Sequence, residues 1–248
     1  MAEKIRVLVT GAAGRMGREV VRAVTDAQDM EVAAAVDLGV DLGNALRLQR
    51  PKVMVDFTVP EAVMPNIRLA LAAKVIPLVG TTGLKTEFLD EITALCAQYK
   101  TPALIAPNFA LGAVLLMRFA ADAAKYFPDV EIIEMHHEKK LDAPSGTAAL
   151  TAEMIARARV GKPRCEPQGA FESVQGARGG KTEGDVTIHS VRLPGFVASQ
   201  EVIFGGPGQR LSLRHDSIDR ASFMPGVLLA IRKASTMTGL VYGLENLL

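Results

Sequence analysis

The sequence predicts an α/β protein in two parts: a doubly wound parallel sheet at the N-terminal end, then a second α+β domain with a mixed sheet. Three observations predict it. Up to Ala106, short Val/Ile/Ala-rich segments alternate with helical stretches, which is the rhythm of crossover units in a parallel sheet. Those segments run into Gly, Asn or Asp, as buried parallel strands do where they meet loops. After about Asn108 the rhythm changes, and two longer strand-like segments flank Gly205-Gly-Pro-Gly208, a spacing that favours antiparallel pairing.

Taken in order, Lys4 to Thr10 reads as a strand, Arg15 to Thr25 as a helix and Met30 to Val36 as a second strand. Lys52 to Asp56 is a third strand, Pro60 opens a helix to about Lys74, and Val75 to Val79 is a fourth strand. An amphipathic helix from Lys85 to Tyr99 and a strand from Ala103 to Ala106 close the series. Leu111 to Tyr126 then reads as a long helix, Val130 to Met135 as a strand and Thr147 to Arg159 as a helix. Gly161 to Gly184 is rich in glycine and reads as a surface loop. Strands are expected over Asp185 to Arg192, Gln200 to Phe204 and Arg210 to Arg214, and helix over Ser222 to Met237. The expected division is residues 1–108, completed by 218–248, with 109–217 as the second domain.

Composition narrows the function classes. The 248 residues carry 28 Lys+Arg against 27 Asp+Glu, a formal charge of +1, which argues against nucleic acid or anionic membrane as partner. The longest apolar stretch, Phe109 to Met117, stops at Arg118, far short of the ~20 residues of a membrane span. No charged-then-apolar leader stands at the start, so a soluble, cytoplasmic protein is expected. Cys96 and Cys165 make no disulfide framework and have no metal-ligand spacing.

Two segments carry chemistry. Thr10-Gly11-Ala12-Ala13-Gly14-Arg15-Met16-Gly17 follows the first strand and opens the first helix. Glycines there permit a tight turn and close approach of a pyrophosphate to the amides of a helix N-terminus. Asp37 ends the second strand, about where an acidic side chain meets a ribose hydroxyl in Rossmann-type sheets. Gly80-Thr81-Thr82-Gly83 and Ala106-Pro107-Asn108-Phe109 follow later strands, where carboxyl ends of parallel strands face the ligand crevice, and each reads equally as plain turn chemistry. The second segment is Glu134 to Ala148, with His136, His137, Lys140 and the turn Ser145-Gly146-Thr147. Adjacent histidines on a strand point to opposite faces, so a shared metal ion is not expected. A histidine instead suits proton transfer near neutral pH, and a helix N-terminus suits a carboxylate.

The runs Gly11 to Gly17, Asp56-Phe-Thr-Val-Pro60, Gly80 to Gly83, Asn108-Phe109 and Glu134 to Ala148 occur in order. Together they resemble the 4-hydroxy-tetrahydrodipicolinate reductase (dihydrodipicolinate reductase) family of diaminopimelate and lysine biosynthesis. His-His-x-x-Lys-x-Asp-Ala-Pro-Ser-Gly-Thr is the specific part, and the likeness extends to Pro194-Gly195 and Ser222 to Gly226. The resemblance implies a nicotinamide-binding Rossmann domain using NADPH or NADH. It also implies a second domain for substrate binding and oligomerisation, through which a homotetramer assembles. The implied reaction is reduction of a cyclic unsaturated dicarboxylate with loss of water. By motif position, Gly11, Ala12, Ala13, Gly14, Arg15 and Met16 would hold the pyrophosphate, and Asp37 the adenosine ribose. Gly80, Thr81 and Thr82, with Ala106, Pro107, Asn108 and Phe109, would hold the nicotinamide end. His136 would be the proton donor, Lys140 a second donor and His137 a substrate contact, with Gly146 and Thr147 on a substrate carboxylate. Closure of the Gly161 to Gly184 loop over substrate is a further expectation. The sequence departs from the family in a short segment between Asp37 and Val53, where Asp41 to Gln49 leave the only room for a helix. Leu38 also follows Asp37 where some members carry Arg.

The rivals need less of the sequence. A nucleotide sensor would use the glycine turn and Asp37 but not His136, Lys140 or the Ser145 turn. An acylating aldehyde dehydrogenase needs a nucleophilic cysteine, whereas Cys96 falls in an expected helix and Cys165 in the loose loop. The scattered Arg157, Arg159, Lys162 and Arg164 read as a helix's solvated last turn rather than a nucleic-acid surface.

Overall fold

The computed structural model describes residues 3–81, 84, 87–161, 163 and 168–248. Its first elements are β1 (Ile5–Thr10), α1 (Arg15–Asp26), β2 (Met30–Val36), α2 (Leu42–Gln49), β3 (Val53–Asp56), α3 (Pro60–Ala72), β4 (Ile76–Val79), α4 (Glu87–Tyr99) and β5 (Ala103–Ile105). There follow α5 (Leu111–Ala124), β6 (Asp129–His136), α6 (Gly146–Ala158), β7 (Gly180–Lys181), β8 (Thr187–Arg192), β9 (Ala198–Gly206) and β10 (Gln209–Ser217). The chain ends with α7 (Met224–Lys233), flanked by 3₁₀ turns at Arg220–Phe223 and Ala234–Thr236, and β11 (Leu240–Tyr242). Residues up to Ala110 form one compact unit with Arg220–Leu248, and Leu111–Asp219 form a second.

The first unit is built on a six-stranded parallel sheet in the order β11-β5-β4-β3-β1-β2. Strand order reverses beside β1, so β1 and β3 border the switch point where a doubly wound sheet binds ligands. The strands are short because both faces are covered: all four residues of β3 and of β4 are buried. Helix α1 presents Gly17, Val20 and Val24 to the sheet, the spacing of one helical face. Complete burial of each valine contributes roughly 1.5–3 kcal/mol.

Two expectations change here. The parallel series does not close at β5, because Leu240, Val241 and Tyr242 pair with Ala103, Leu104 and Ile105 as a sixth strand. A three-residue edge strand has too little periodicity to stand out in the sequence. The expected helix over Ser222 to Met237 is α7 with a 3₁₀ turn at either end. The Arg232 guanidinium then bonds both Asp29 oxygens at 2.8 and 3.0 Å, tying the C-terminal segment to the first unit.

The short span after Asp37 still forms a crossover helix. The Asp41 side chain accepts the Asn44 amide at 3.0 Å as the N-cap of α2. Leu42 and Leu46 sink among Leu8, Val36, Met54 and Ala70.

In the second unit the sheet runs β10-β9-β6-β8-β7, parallel only between β6 and β8. One face carries Ile132, Ile188, Val202 and Phe204 against α5 and α6. The antiparallel pairing expected around Gly205 to Gly208 is present in β9 and β10. Part of the Gly161 to Gly184 loop lies outside the described residues, and its end supplies β7.

Candidate active site

Two constellations are in place, one in each unit. In the first, Gly11 takes φ +71°, and a Cβ there would sit 2.4 Å from the Phe57 carbonyl oxygen. A Cβ on Gly17 would come within 2.0 Å of the Gly11 carbonyl oxygen. Both glycines are therefore required for α1 to start this close to the ends of β1 and β3. Ncap Gly14 brings no side-chain cap and the first turn has no acidic residue, which leaves the positive end of the helix for an anion. Ala12 donates its amide to the Val36 carbonyl, while Arg15 projects into solvent and Met16 is half-buried.

Asp37 closes the other side of this turn. Its carboxylate accepts the Ala13 amide at 2.7 Å and the Leu38 amide at 2.8 Å. These two backbone donors, Leu38 first, hold the carboxyl below its ordinary range. An ionised carboxylate has about four acceptor positions, so two remain for ribose hydroxyls. A cavity of about 440 Å³ connects Gly11, Asp37, Leu38, Val40, Phe57 and Asn66.

Two of the candidates for the nicotinamide end, Gly80 and Phe109, meet at Phe57. Its ring lies 5.8 Å from that of Phe109, and a Cβ on Gly80 would collide with it at 2.2 Å. The Gly80 and Ala106 amides donate to the Asp56 and Val79 carbonyls, both at 2.9 Å. Pro107 is exposed, and the Asn108 side chain accepts the Ala110 amide at 2.8 Å. Sequence reasoning missed Asp56 as an organiser. It is fully buried and accepts Thr58 through both amide and hydroxyl, Asn66 at 2.8 Å and Thr81 at 3.2 Å. Thr82 lies outside the described residues.

The second constellation sits at the end of β6, the middle strand of its sheet. His136 is the last residue of β6 and His137 the first beyond it, both half-buried. Glu134, two positions before His136 and on the same face, is completely buried. Its carboxylate accepts the His136 Nδ1 at 2.5 Å, both terminal nitrogens of Arg192 at 2.9 and 2.7 Å, and the Ser145 amide at 3.3 Å. Parallel pairing of β6 with β8 sets Ser190 opposite Glu134 and Arg192 opposite His136. Burial pushes the Glu134 carboxyl up, but bonds from His136, Arg192 and Ser190 outweigh it and bring it down to about 2. Neither Glu134 nor Arg192 was singled out as a site residue from the sequence. The Glu-x-His spacing was a usable signal, whereas the Arg192 pairing was not.

From this point the chain turns into the N-terminus of α6. Ser145 caps α6 by accepting the Ala148 amide at 3.2 Å, leaving Gly146 exposed and Thr147 half-buried in its first turn. Apart from its chain neighbours and the backbone of its own helix, nothing among the described residues lies within 4 Å of where a Gly146 Cβ would stand. The Lys140 ammonium bonds both Asp142 oxygens, at 2.7 and 2.8 Å, and holds the Asp142 carboxyl low. A substrate carboxylate would compete with Asp142 for that cation. Among the described residues, no group of three His, Cys, Asp or Glu side chains is placed to hold a metal ion.

Comparison with known proteins matches both units. The family model for the dihydrodipicolinate reductase N-terminus covers residues 5–109, and that for the C-terminus covers 112–248. The chain is 52% identical to 4-hydroxy-tetrahydrodipicolinate reductase from Moorella thermoacetica, over 100% of this chain and 99% of that one. Its counterpart from Desulfitobacterium hafniense is 51% identical over 99% of both chains. A dipicolinate-bound dihydrodipicolinate reductase from Paenisporosarcina sp. TG-14 superposes with a TM-score of 0.91 at 43% identity, covering 99% of this chain and 100% of that one. An amine dehydrogenase from Mycobacterium smegmatis shares the fold alone, with a TM-score of 0.66 at 13% identity. This chain belongs to the dihydrodipicolinate reductase family.

Proposed function

We propose that this protein reduces 4-hydroxy-tetrahydrodipicolinate to tetrahydrodipicolinate, with loss of water, in lysine biosynthesis by the diaminopimelate route. The observation that carries the reading is the cluster at the end of β6. An imidazole held through one nitrogen, a lysine and the Ser145-capped N-terminus of α6 are gathered there on one short run of chain. A sensor that only bound nucleotide would need none of it.

The residues of the glycine turn fit a pyridine nucleotide: Gly11 to Met16 would hold the pyrophosphate, Asp37 the adenosine ribose, and Gly80 to Thr82 with Ala106 to Phe109 the nicotinamide end. Bound NADH or NADPH supplies the hydride. Asp37 favours NADH, because its carboxylate accepts a free 2′-hydroxyl and repels a 2′-phosphate. Gly146 and Thr147 at the start of α6 receive one carboxylate of the dicarboxylate substrate, and His137 and Lys140 add contacts to it. Hydride addition to a conjugated ring leaves negative charge on it, so a proton must follow. His136 delivers that proton from Nε2, with Lys140 as the second donor. The second unit also carries assembly in this reading. The sheet face away from α5 and α6 bears half-buried Ile133, Val191 and Ile203, and covering it with further copies gives the expected homotetramer, a cytoplasmic enzyme. Light scattering on the purified protein returns the tetramer mass if this is right.

The test is coenzyme oxidation by the purified protein, with substrate generated in situ from pyruvate and aspartate semialdehyde by a synthase. Wild type turns over, more readily with NADH, and His136→Ala loses roughly a hundredfold or more in kcat, the scale of a lost general acid. Coenzyme binding without turnover by the wild type would sink the reductase reading.

A further inference from the structure

Glu134 has no place in the chemistry described so far, yet it is a charged side chain in the middle strand of a sheet, completely buried. A buried carboxylate survives only with full compensation. Here the compensation comes from groups that also build the site. His136 donates through Nδ1 at 2.5 Å and the Ser145 amide, at the N-cap of α6, through 3.3 Å. Arg192 grips both oxygens and also donates to the Asp142 carbonyl at 2.7 Å. One carboxylate thus ties together the imidazole, the helix that receives the anion and the loop that carries Lys140.

We propose that Glu134 is a positioning residue for the reduction: fixed by Arg192, its carboxylate holds the His136 imidazole with Nδ1–H toward itself, leaving Nε2 to carry the proton to substrate. An ionised carboxylate can only accept. A contact of 2.5 Å to a ring nitrogen therefore requires hydrogen on that nitrogen, in the neutral ring and in the imidazolium alike. The ring changes its protonation at Nε2 alone, without turning. The low position of the Glu134 carboxyl, about 2, keeps it an acceptor throughout the working pH range. Carboxylates that orient a catalytic imidazole in acyl-transfer triads act by the same logic.

Glu134→Gln reverses the contact. Arg192 meets both oxygens, but the Ser145 amide meets only the one away from His136, so the Gln amide oxygen stays there, its NH₂ faces His136, and Nδ1 must then accept. The neutral ring moves to the Nε2–H form, and the imidazolium meets a donor instead of an acceptor.

The proposal rests on the reductase reading, and the experiment separates the two. ¹⁵N spectra of histidine-labelled protein at about pH 9, where an ordinary imidazole is neutral, should show His136 as Nδ1–H in the wild type and as Nε2–H in Glu134→Gln. His136 is identified by its loss in His136→Gln. In steady state, Glu134→Gln should lose about tenfold or more in kcat, less than His136→Ala, with KM for NADH unchanged. A wild-type His136 in the Nε2–H form overturns the proposal without any variant. So does a folded Glu134→Gln that keeps the wild-type kcat, which is what a purely structural glutamate would give. Where Glu134→Gln does not fold, Glu134→Gln/Arg192→Gln removes both charges together, and loss of the Nδ1–H preference with a similar fall in kcat is again expected. No turnover by the wild type overturns the reaction, and with it the catalytic part of the proposal, whatever the spectra show.

Discussion

At the end of β1 the backbone sets the arrangement: glycines that stand close together in the chain let α1 begin against the ends of β1 and β3. At the end of β6 side chains set it, and the contact that organises them joins residues 58 positions apart. The first region needs empty space and a helix end, and the second needs a buried charge to be matched group by group. Substitution should therefore damage them differently. The glycine turn fails by steric exclusion, with its consequences in coenzyme binding. The β6 cluster fails by desolvated charge, with its consequences in stability and in proton transfer.

The largest effect expected on stability is Arg192→Met. It leaves the Glu134 carboxylate buried with its main cation gone, a change that typically costs about 3–5 kcal/mol. Chemical denaturation of wild type and variant measures it, and a loss under about 1 kcal/mol would show that Glu134 is compensated without Arg192. Acid sharpens the same point. In the unfolded chain Glu134 takes up a proton near its ordinary value of 4.5, and in the folded protein only near 2. Below pH 4.5 the unfolded state binds the extra proton, so the stability from this group, about 3 kcal/mol by linkage, is present above 4.5 and lost as pH falls towards 2. Arg192→Met raises the folded value and flattens that part of the acid profile, which a series of denaturation curves from pH 6 downward would reveal.

Gly11→Ala tests the other region and should cost less, roughly 1–3 kcal/mol, because it forces a left-handed φ on alanine and a Cβ against the Phe57 carbonyl. Its sharper signature is in binding. Titration of NADH by fluorescence should show affinity falling by about tenfold or more while the His136 environment, followed by ¹⁵N shifts, stays as in wild type. Unchanged affinity would mean that the turn holds no pyrophosphate.

The same contrast explains what could be read from the sequence. Gly11, Gly14, Gly17 and Asp37 were legible because local spacing is itself the mechanism there: the glycines that form the turn are the ones whose missing side chains let the helix start where it does. His136, Lys140 and Ser145 to Thr147 were legible as a run. Glu134 stood in that run, but its part depends on Arg192, and nothing local says that β8 will lie parallel to β6 with Arg192 opposite His136. Asp56 was hidden for the same reason, since it collects Thr58, Asn66 and Thr81 from three different segments. β11 escaped because pairing with β5, not periodicity, makes it a strand. The Lys140–Asp142 pair is the converse, two residues apart and visible only once the loop is folded.

The smallest effect, and the one that best separates the two regions, concerns coenzyme choice. Asp37 is anchored by the Ala13 and Leu38 amides, so its carboxylate cannot swing away from a 2′-phosphate, and Leu38, almost fully exposed, brings no counter-charge. Arg15 and Arg18 project from the first turn of α1 into solvent. Asp37→Ser leaves one hydroxyl in place of the two carboxylate oxygens and removes the repulsion, so the ratio of kcat/KM for NADH to that for NADPH should shift towards NADPH by on the order of tenfold. The shift should arise mainly from KM, with kcat held by His136 and Glu134 in the other unit. A shift carried by kcat instead would mean that the adenosine end also governs the chemical step, and the division of labour drawn between the two regions would fail.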